Sequence, residues 1–181
     1  MFYNNNMDYL LLTTNDYLLL TDNSKLILSA FSYSNYGWTS SQLTIDATKV
    51  SGTTNLTNFP VLVNDVALGT TGVGTAIWSS TRSDGGDIRF STDSLGTNPL
   101  EYELVNWATA TQQGEIWVKL GTVQATTNTS FYIWYDNGTA TTTSNGTAVF
   151  ADYEVVLHDV YSGTNSAKAD SFGMTSVTAT N

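Results

Sequence analysis

The chain has no cysteine among its 181 residues, so a disulfide scaffold, a zinc–thiolate site and a thiol nucleophile are all excluded. A domain of this length can build its core without disulfides, so that absence fits any compartment. Charge is scarce too. Only 12% of residues are charged, against roughly a quarter in an ordinary domain, and sixteen acids outweigh six bases to give a formal charge of -10. A chain so poor in Lys and Arg is a poor partner for nucleic acid or an anionic membrane. There is one histidine, His158, which excludes a three-histidine zinc site, and no GxSxG elbow, P-loop or dinucleotide fingerprint occurs. No apolar run reaches the length of a membrane span. The opening "MFYNNNMDYLLLTTN" lacks a basic region and a continuous apolar stretch, so as a natural start it predicts a chain not exported by the usual signal-peptide route.

What is present is apolar, aromatic and neutral-polar. The chain is 41% hydrophobic and 12% aromatic, enough for a substantial core. No segment sustains helical apolar spacing. Short runs rich in β-branched and aromatic residues recur instead: "SQLTIDAT", "FPVLVN", "DIRFST", "LEYELVNW", "GEIWVKLG", "SFYIWYD" and "YEVVLHDV". In "EIWVKL", Ile116, Val118 and Leu120 share one face and Trp117 and Lys119 the other; in "SFYIWYD", Phe131, Ile133 and Tyr135 oppose Tyr132 and Trp134. Apolar residues on both faces predict central strands, with Trp117 and Trp134 in the core. "DNG" at 136–138 and "SDGGD" at 83–87 read as turns, and the stretch around "VNDVALGTTG" and "TAIWSSTRS" allows a helix of one or two turns. The expected fold is all-β, an antiparallel β-sandwich of jelly-roll or concanavalin-like type, with an N-terminal β-repeat arm.

That arm is the phrase "DYLLLTTN", "DYLLLTDN", "SKLILS", repeated every eight residues. An even period keeps equivalent positions on one face, and both faces are apolar. Tyr9, Leu10, Leu11, Leu12, Tyr17, Leu18, Leu19, Leu20, Leu26, Ile27 and Leu28 are therefore expected at an assembly interface, although three strands docked on the chain's own sandwich would also cover them. The expected organisation is an arm over 1–33, a sandwich over 34–150, and a C-terminal strand and junction over 151–181.

Three sets of residues invite a chemical reading. Glu101 and Glu103, two apart on a strand, place their side-chain roots about 7 Å apart, but a glycosidase pair normally faces across a cleft from different strands, and two solvated acids are the simpler reading. His158 in "VVLHDV" reads as a polar side chain on a strand. Asp84, Asp87 and Asp93, around Gly85 and Gly86, form an Asp-capped turn first and an oxygen-rich calcium loop as the alternative; the spacing is not that of an EF-hand. Trp38, Trp78, Trp107 and Tyr102, near turns, are the candidates for stacking on a sugar ring.

From Trp38 onward the phrases "GWTSSQLTIDATKVSGTTNLTNFPVLV", "GGDIRFSTDSLGTNPLEYELVNW" and "GEIWVKLGTVQATTNTSFYIWYDNGTA" come in an order that resembles the DUF2341 domain family, over residues 36–150. The chain departs from that pattern in the neutral "TSSQ", where a basic pair is common, and in Asp136, where a turn glycine is usual. "VFADYEVVLHDVYSGTNSAKADSFG" resembles the junction that leads, in many relatives, into a second sandwich. The resemblance implies a β-rich module of bacterial, archaeal and phage surface or structural proteins and carries no activity. Combined with the arm, it leads to the expectation of a non-enzymatic structural subunit of a phage particle, a fibre or decoration protein localised to the virion, without cofactor (calcium at most). Its partners would be other virion subunits or copies of itself, with neither nucleic acid nor membrane insertion. The alternative is a carbohydrate-binding module of a cell-surface protein, meeting cell-surface glycans.

Overall fold

The structure, a computed structural model, describes residues 18–21, 25–28, 32–154, 156 and 158. Six strands form two antiparallel sheets of three. In the first, β3 (Thr39–Ile45), β8 (Thr129–Tyr135) and β5 (Arg89–Ser91) lie in the order β3-β8-β5; in the second, β4 (Leu56–Asn64), β7 (Gln113–Val123) and β6 (Tyr102–Ala108) lie in the order β4-β7-β6. The all-β sandwich expected from the strand pattern is the observed architecture. Two short strands, β1 (Leu18–Thr21) and β2 (Lys25–Leu28), pair with each other in a separate two-stranded sheet. Helices are few: α1 (Asp65–Leu68) and α2 (Val73–Ser80) fall where one or two turns were expected, and α3 (Gly146–Val149) follows β8.

The alternation in β7 and β8 sets the core. Ile116, Val118 and Leu120 turn inward from β7, and Phe131, Ile133 and Tyr135 from β8; all are at most 3% exposed. They meet Val63 of β4, Phe90 of β5 and Tyr102 of β6 in one cluster, with the Phe90 and Tyr102 rings 5.6 Å apart across the two sheets. Trp134, on the opposite face of β8, is buried as well. It packs against Tyr33 at 5.6 Å and donates from Nε1 to Ser91 Oγ at 2.7 Å. Trp117, on the opposite face of β7, is only half-buried.

Register explains where β6 turns. Tyr102, Glu103 and Leu104 pair in sequence with Val118, Trp117 and Ile116, but Asn106 then pairs with Glu115, leaving Val105 as a bulge. A bulge adds one residue and so exchanges the faces beyond it. Tyr102 points inward before the bulge and Trp107 after it; simple alternation would have turned Asn106 in. Beyond β8, Asp136 sits at φ 70°, in the left-handed region that the "DNG" turn requires.

Two boundaries differ from those expected. Ser32 and Tyr33 are buried and belong to the sandwich, since the Ser32 hydroxyl donates to the Leu95 carbonyl and Tyr33 packs on Trp134. At the other end, Tyr153, Glu154, Val156 and His158 lie in no strand, so the C-terminal strand expected over "YEVVLHDV" is not formed at these described residues. His158 packs instead on the outer face of β6 and β7, against Glu103, Glu115 and Trp117, and Tyr153 packs on Phe150.

Candidate functional site

Three separate segments build a cleft over β8. A 3-10 turn, Tyr33–Tyr36, leads through Gly37 (φ 74°) to Trp38. The positive φ is a glycine conformation, and it turns Trp38 back towards Tyr33, whose ring lies 5.2 Å away. Arg89 comes from the start of β5. The loop after β8 supplies Asn137, Thr139, Ala140, Thr141 and Thr143. Together with Tyr36 and Pro99 these residues line a cleft of about 510 Å³.

Arg89 is 7% exposed, and its guanidinium carbon lies 5.2 Å from the Trp38 ring centroid, a cation–π arrangement. Nη1 donates to the carbonyls of Gly86 (3.1 Å) and Ile88 (2.6 Å) and to Tyr102 Oη (3.0 Å); Nη2 donates to the Thr141 carbonyl. Every one of these acceptors is neutral, and no carboxylate among the described residues forms an ion pair with Arg89. Nearby Asp87, 1% exposed, spends its carboxylate on the backbone amides of Arg82 (3.0 Å) and Asp136 (3.1 Å). Burial pushes the Tyr33 hydroxyl up to about 12, against the opposing influence of the Arg89 charge.

A second cluster covers the outer face of β7. His158 Nε2 lies 2.8 Å from Glu103 Oε2, and Nδ1 lies 3.4 Å from Glu115 Oε1, while Trp117 Nε1 donates to Glu115 Oε1 at 3.0 Å. Trp117, Phe150 and His158 form a ring triangle with centroid separations of 5.7, 5.8 and 6.0 Å. The two carboxylates that a glycosidase reading would need are thus Glu103 and Glu115 rather than Glu101 and Glu103, and the space between them is filled by the imidazole. Chemically this cluster is a clamp on the tail: Lys119 Nζ donates to the Ala148 carbonyl at 3.3 Å beside it.

The chain carries a DUF2341 domain. Residues 84–172 match the family model described as a domain of unknown function, DUF2341. No curated protein and no solved structure matches the chain. The DUF2341 segment contains Arg89, the Asn137–Thr143 rim, Glu103, Glu115 and His158; Tyr33, Tyr36 and Trp38 precede it. The cleft therefore joins an aromatic wall from outside the matched DUF2341 stretch to a charged floor and polar rim from within it.

Of the four aromatic residues expected at a glycan surface, only Trp38 lines the cleft. Trp78 (3% exposed) and Trp107 (8%) stack on each other at 4.2 Å and 22° in the core, and Tyr102 (2%) is buried with Phe90. None of those three offers an open ring face. The Val105 bulge turns Trp107 in, and α2 lays Trp78 against it.

Asp84, Asp87 and Asp93, read from sequence as an Asp-capped turn first and a calcium loop as the alternative, each have their own partners. Asp84 pairs with Arg82 at 2.7 Å, Asp87 is held as above, and Asp93 accepts from the amides of Leu95, Thr97 and Asn98. Among the described residues, no three metal-ligating side chains of the His, Cys, Asp or Glu type converge. Of the expected assembly residues, Tyr9, Leu10, Leu11, Leu12 and Tyr17 lie outside the described residues. Leu18, Leu19 and Leu20 fall in β1 and Leu26, Ile27 and Leu28 in β2. Sequence reading missed Arg89, Tyr33, Tyr36 and the threonine rim. The available signals were an arginine within the apolar run "DIRFS" and three aromatic rings packed into "YSNYGW".

Proposed function

We propose that the chain is a non-enzymatic structural module, a building block of a phage particle such as a fibre or decoration subunit. The observation that carries this reading is the β1–β2 hairpin. Leu18 pairs with Leu28, Leu19 with Ile27 and Leu20 with Leu26, and the ribbon joins neither sheet of the sandwich. By this register, positions 18, 20, 26 and 28 fall on one face of the ribbon. An isolated two-stranded ribbon is marginal in water, so one this rich in leucine calls for a partner surface. The edge strand β4 adds to the argument: Phe59 and Leu62 are 39% and 38% exposed there, and Val66, just beyond, is 82% exposed.

The test is removal of residues 1–31 from the chain. Mass photometry should find the full chain oligomeric and the shortened chain monomeric, with the sandwich melting at an unchanged temperature. Unfolding of the shortened chain would return the arm to the core and remove the argument. Mass spectrometry of purified particles checks the setting; absence of the chain from them rules out a virion subunit.

The cleft favours a second reading, a carbohydrate-binding module. Aromatic rings beside a threonine-rich rim suit a sugar, whose ring faces are apolar and whose edges are hydroxylated. The two readings are compatible, because a particle subunit that contacts a cell surface needs such a site.

A further inference from the structure

We propose that the cleft at Arg89 takes a carboxylate-bearing sugar, a uronic- or sialic-type residue of a glycan; this deepens, and rests on, the carbohydrate-binding reading. The argument starts from charge. A guanidinium has five N–H donors. Nη1 serves three oxygens and Nη2 one, leaving Nε and one Nη2 hydrogen without an acceptor among the described residues. Nε and Nη2 together form the side-on edge of the guanidinium, the edge that meets a carboxylate with two parallel hydrogen bonds. The group is 7% exposed and meets no carboxylate at ion-pair distance among the described residues, so its charge is largely desolvated without a direct counter-ion. A neutral sugar would leave it so; a carboxylate would not.

The remainder of the cleft selects a sugar over a bare anion. Trp38 and Tyr36 are half-buried beside the guanidinium, and the Thr139, Thr141 and Thr143 hydroxyls stand around the rim with acceptor capacity to spare. The volume of about 510 Å³ suits a ligand of one or two rings. Inorganic phosphate would meet the charge and waste the aromatic wall.

The chain's charge of -10 gives the site a distinctive salt response. Long-range repulsion of an acid is screened beyond about 8 Å at physiological ionic strength, while a contact to a buried guanidinium is screened far less. Affinity for the acid should therefore hold or rise with added salt, the opposite of a basic surface patch.

The test is titration calorimetry of the full chain with methyl glucuronide and the methyl glycoside of N-acetylneuraminate, with the methyl ester of each, with methyl glucoside and with inorganic phosphate, beside an array of neutral and acidic glycans. At least one acid should bind at least tenfold tighter than its ester, and Trp38→Ala should weaken that binding tenfold or more while the protein stays folded. Arg89→Lys should erase the preference for acid over ester. Should that variant fail to fold, the acid–ester comparison on the native chain decides alone. Equal affinity for acid and ester overturns the acidic-sugar inference and leaves the carbohydrate reading standing. Binding of phosphate with no glycoside reassigns the cleft to a free anion and overturns the inference. Silence across the whole array removes both readings.

Discussion

Each sheet carries on its outer face an aromatic group around one basic side chain, Arg89 or His158, and the two groups have opposite characters. Over β8, Tyr33 and Trp38 flank Arg89, and the surface stays concave and open. Over β7, Trp117 and Phe150 flank His158, and the tail closes the surface. His158 meets two carboxylates; Arg89 meets only neutral oxygens. Similar ingredients thus give a clamp where charge is answered within the chain and a cleft where it is not. Burial and aromatic content alone do not separate a site from a structural joint. The tally of charges does.

The largest effect that would break this contrast is expected at Trp134, the floor beneath Tyr33. Trp134→Ala removes a ring that is 1% exposed together with its hydrogen bond to Ser91 Oγ, and should cost about 3–5 kcal/mol in denaturant unfolding. A cost below about 1 kcal/mol would show that the outer face of β8 is not packed as described.

An intermediate effect belongs to the clamp. His158→Ala leaves the Glu103 carboxylate, 14% exposed, without its imidazole and facing Glu115. The expected loss is about 1–3 kcal/mol, with limited proteolysis speeding up within 150–158 and sugar binding at the cleft unaltered. Unchanged proteolysis would mean that the clamp does not hold the tail.

The smallest effect sharpens the cleft side. Asp93 anchors the loop whose Leu95 carbonyl receives the Ser32 hydroxyl and the Ser34 amide, and that loop supports Tyr33. Partial burial alone would raise this carboxyl, yet the amides of Thr97, Asn98 and Leu95 hold it down at about 2. A group depressed on folding contributes stability above its unfolded pKa of about 4, and that stability is lost as pH falls through the folded value. Asp93→Asn should therefore cost less than about 1 kcal/mol at pH 7, and the gap between variant and native melting temperatures should close as pH approaches about 2. A gap independent of pH would assign the effect to geometry rather than charge.

The strands and turns were legible because their signals are local. Alternation in "EIWVKL" and "SFYIWYD" identifies β7 and β8 as central strands, and "DNG" marks the turn at Asp136. Trp107 was misplaced because a one-residue bulge at Val105 exchanges the faces of β6, and nothing in "YELVNW" announces the extra residue. Trp78 lies in a helix too short to show a period, and it turns inward because Trp107 waits there. The cleft was illegible for a different reason: Trp38, Arg89 and Thr143 are brought together only by sheet topology. His158 was read as a strand residue from its apolar neighbours, whereas its two carboxylate partners come from β6 and β7, far back in the chain.

The clamp at His158 and the ring anchor at Tyr33 have a mechanical corollary. Among the described residues, Ser32 lies over one sheet and His158 over the other, and neither lies in a strand. A pull between them meets tilted ring contacts and a carboxylate-held imidazole before it meets a hydrogen-bonded ladder. Under such a load these outer fastenings should give way before either sheet is sheared.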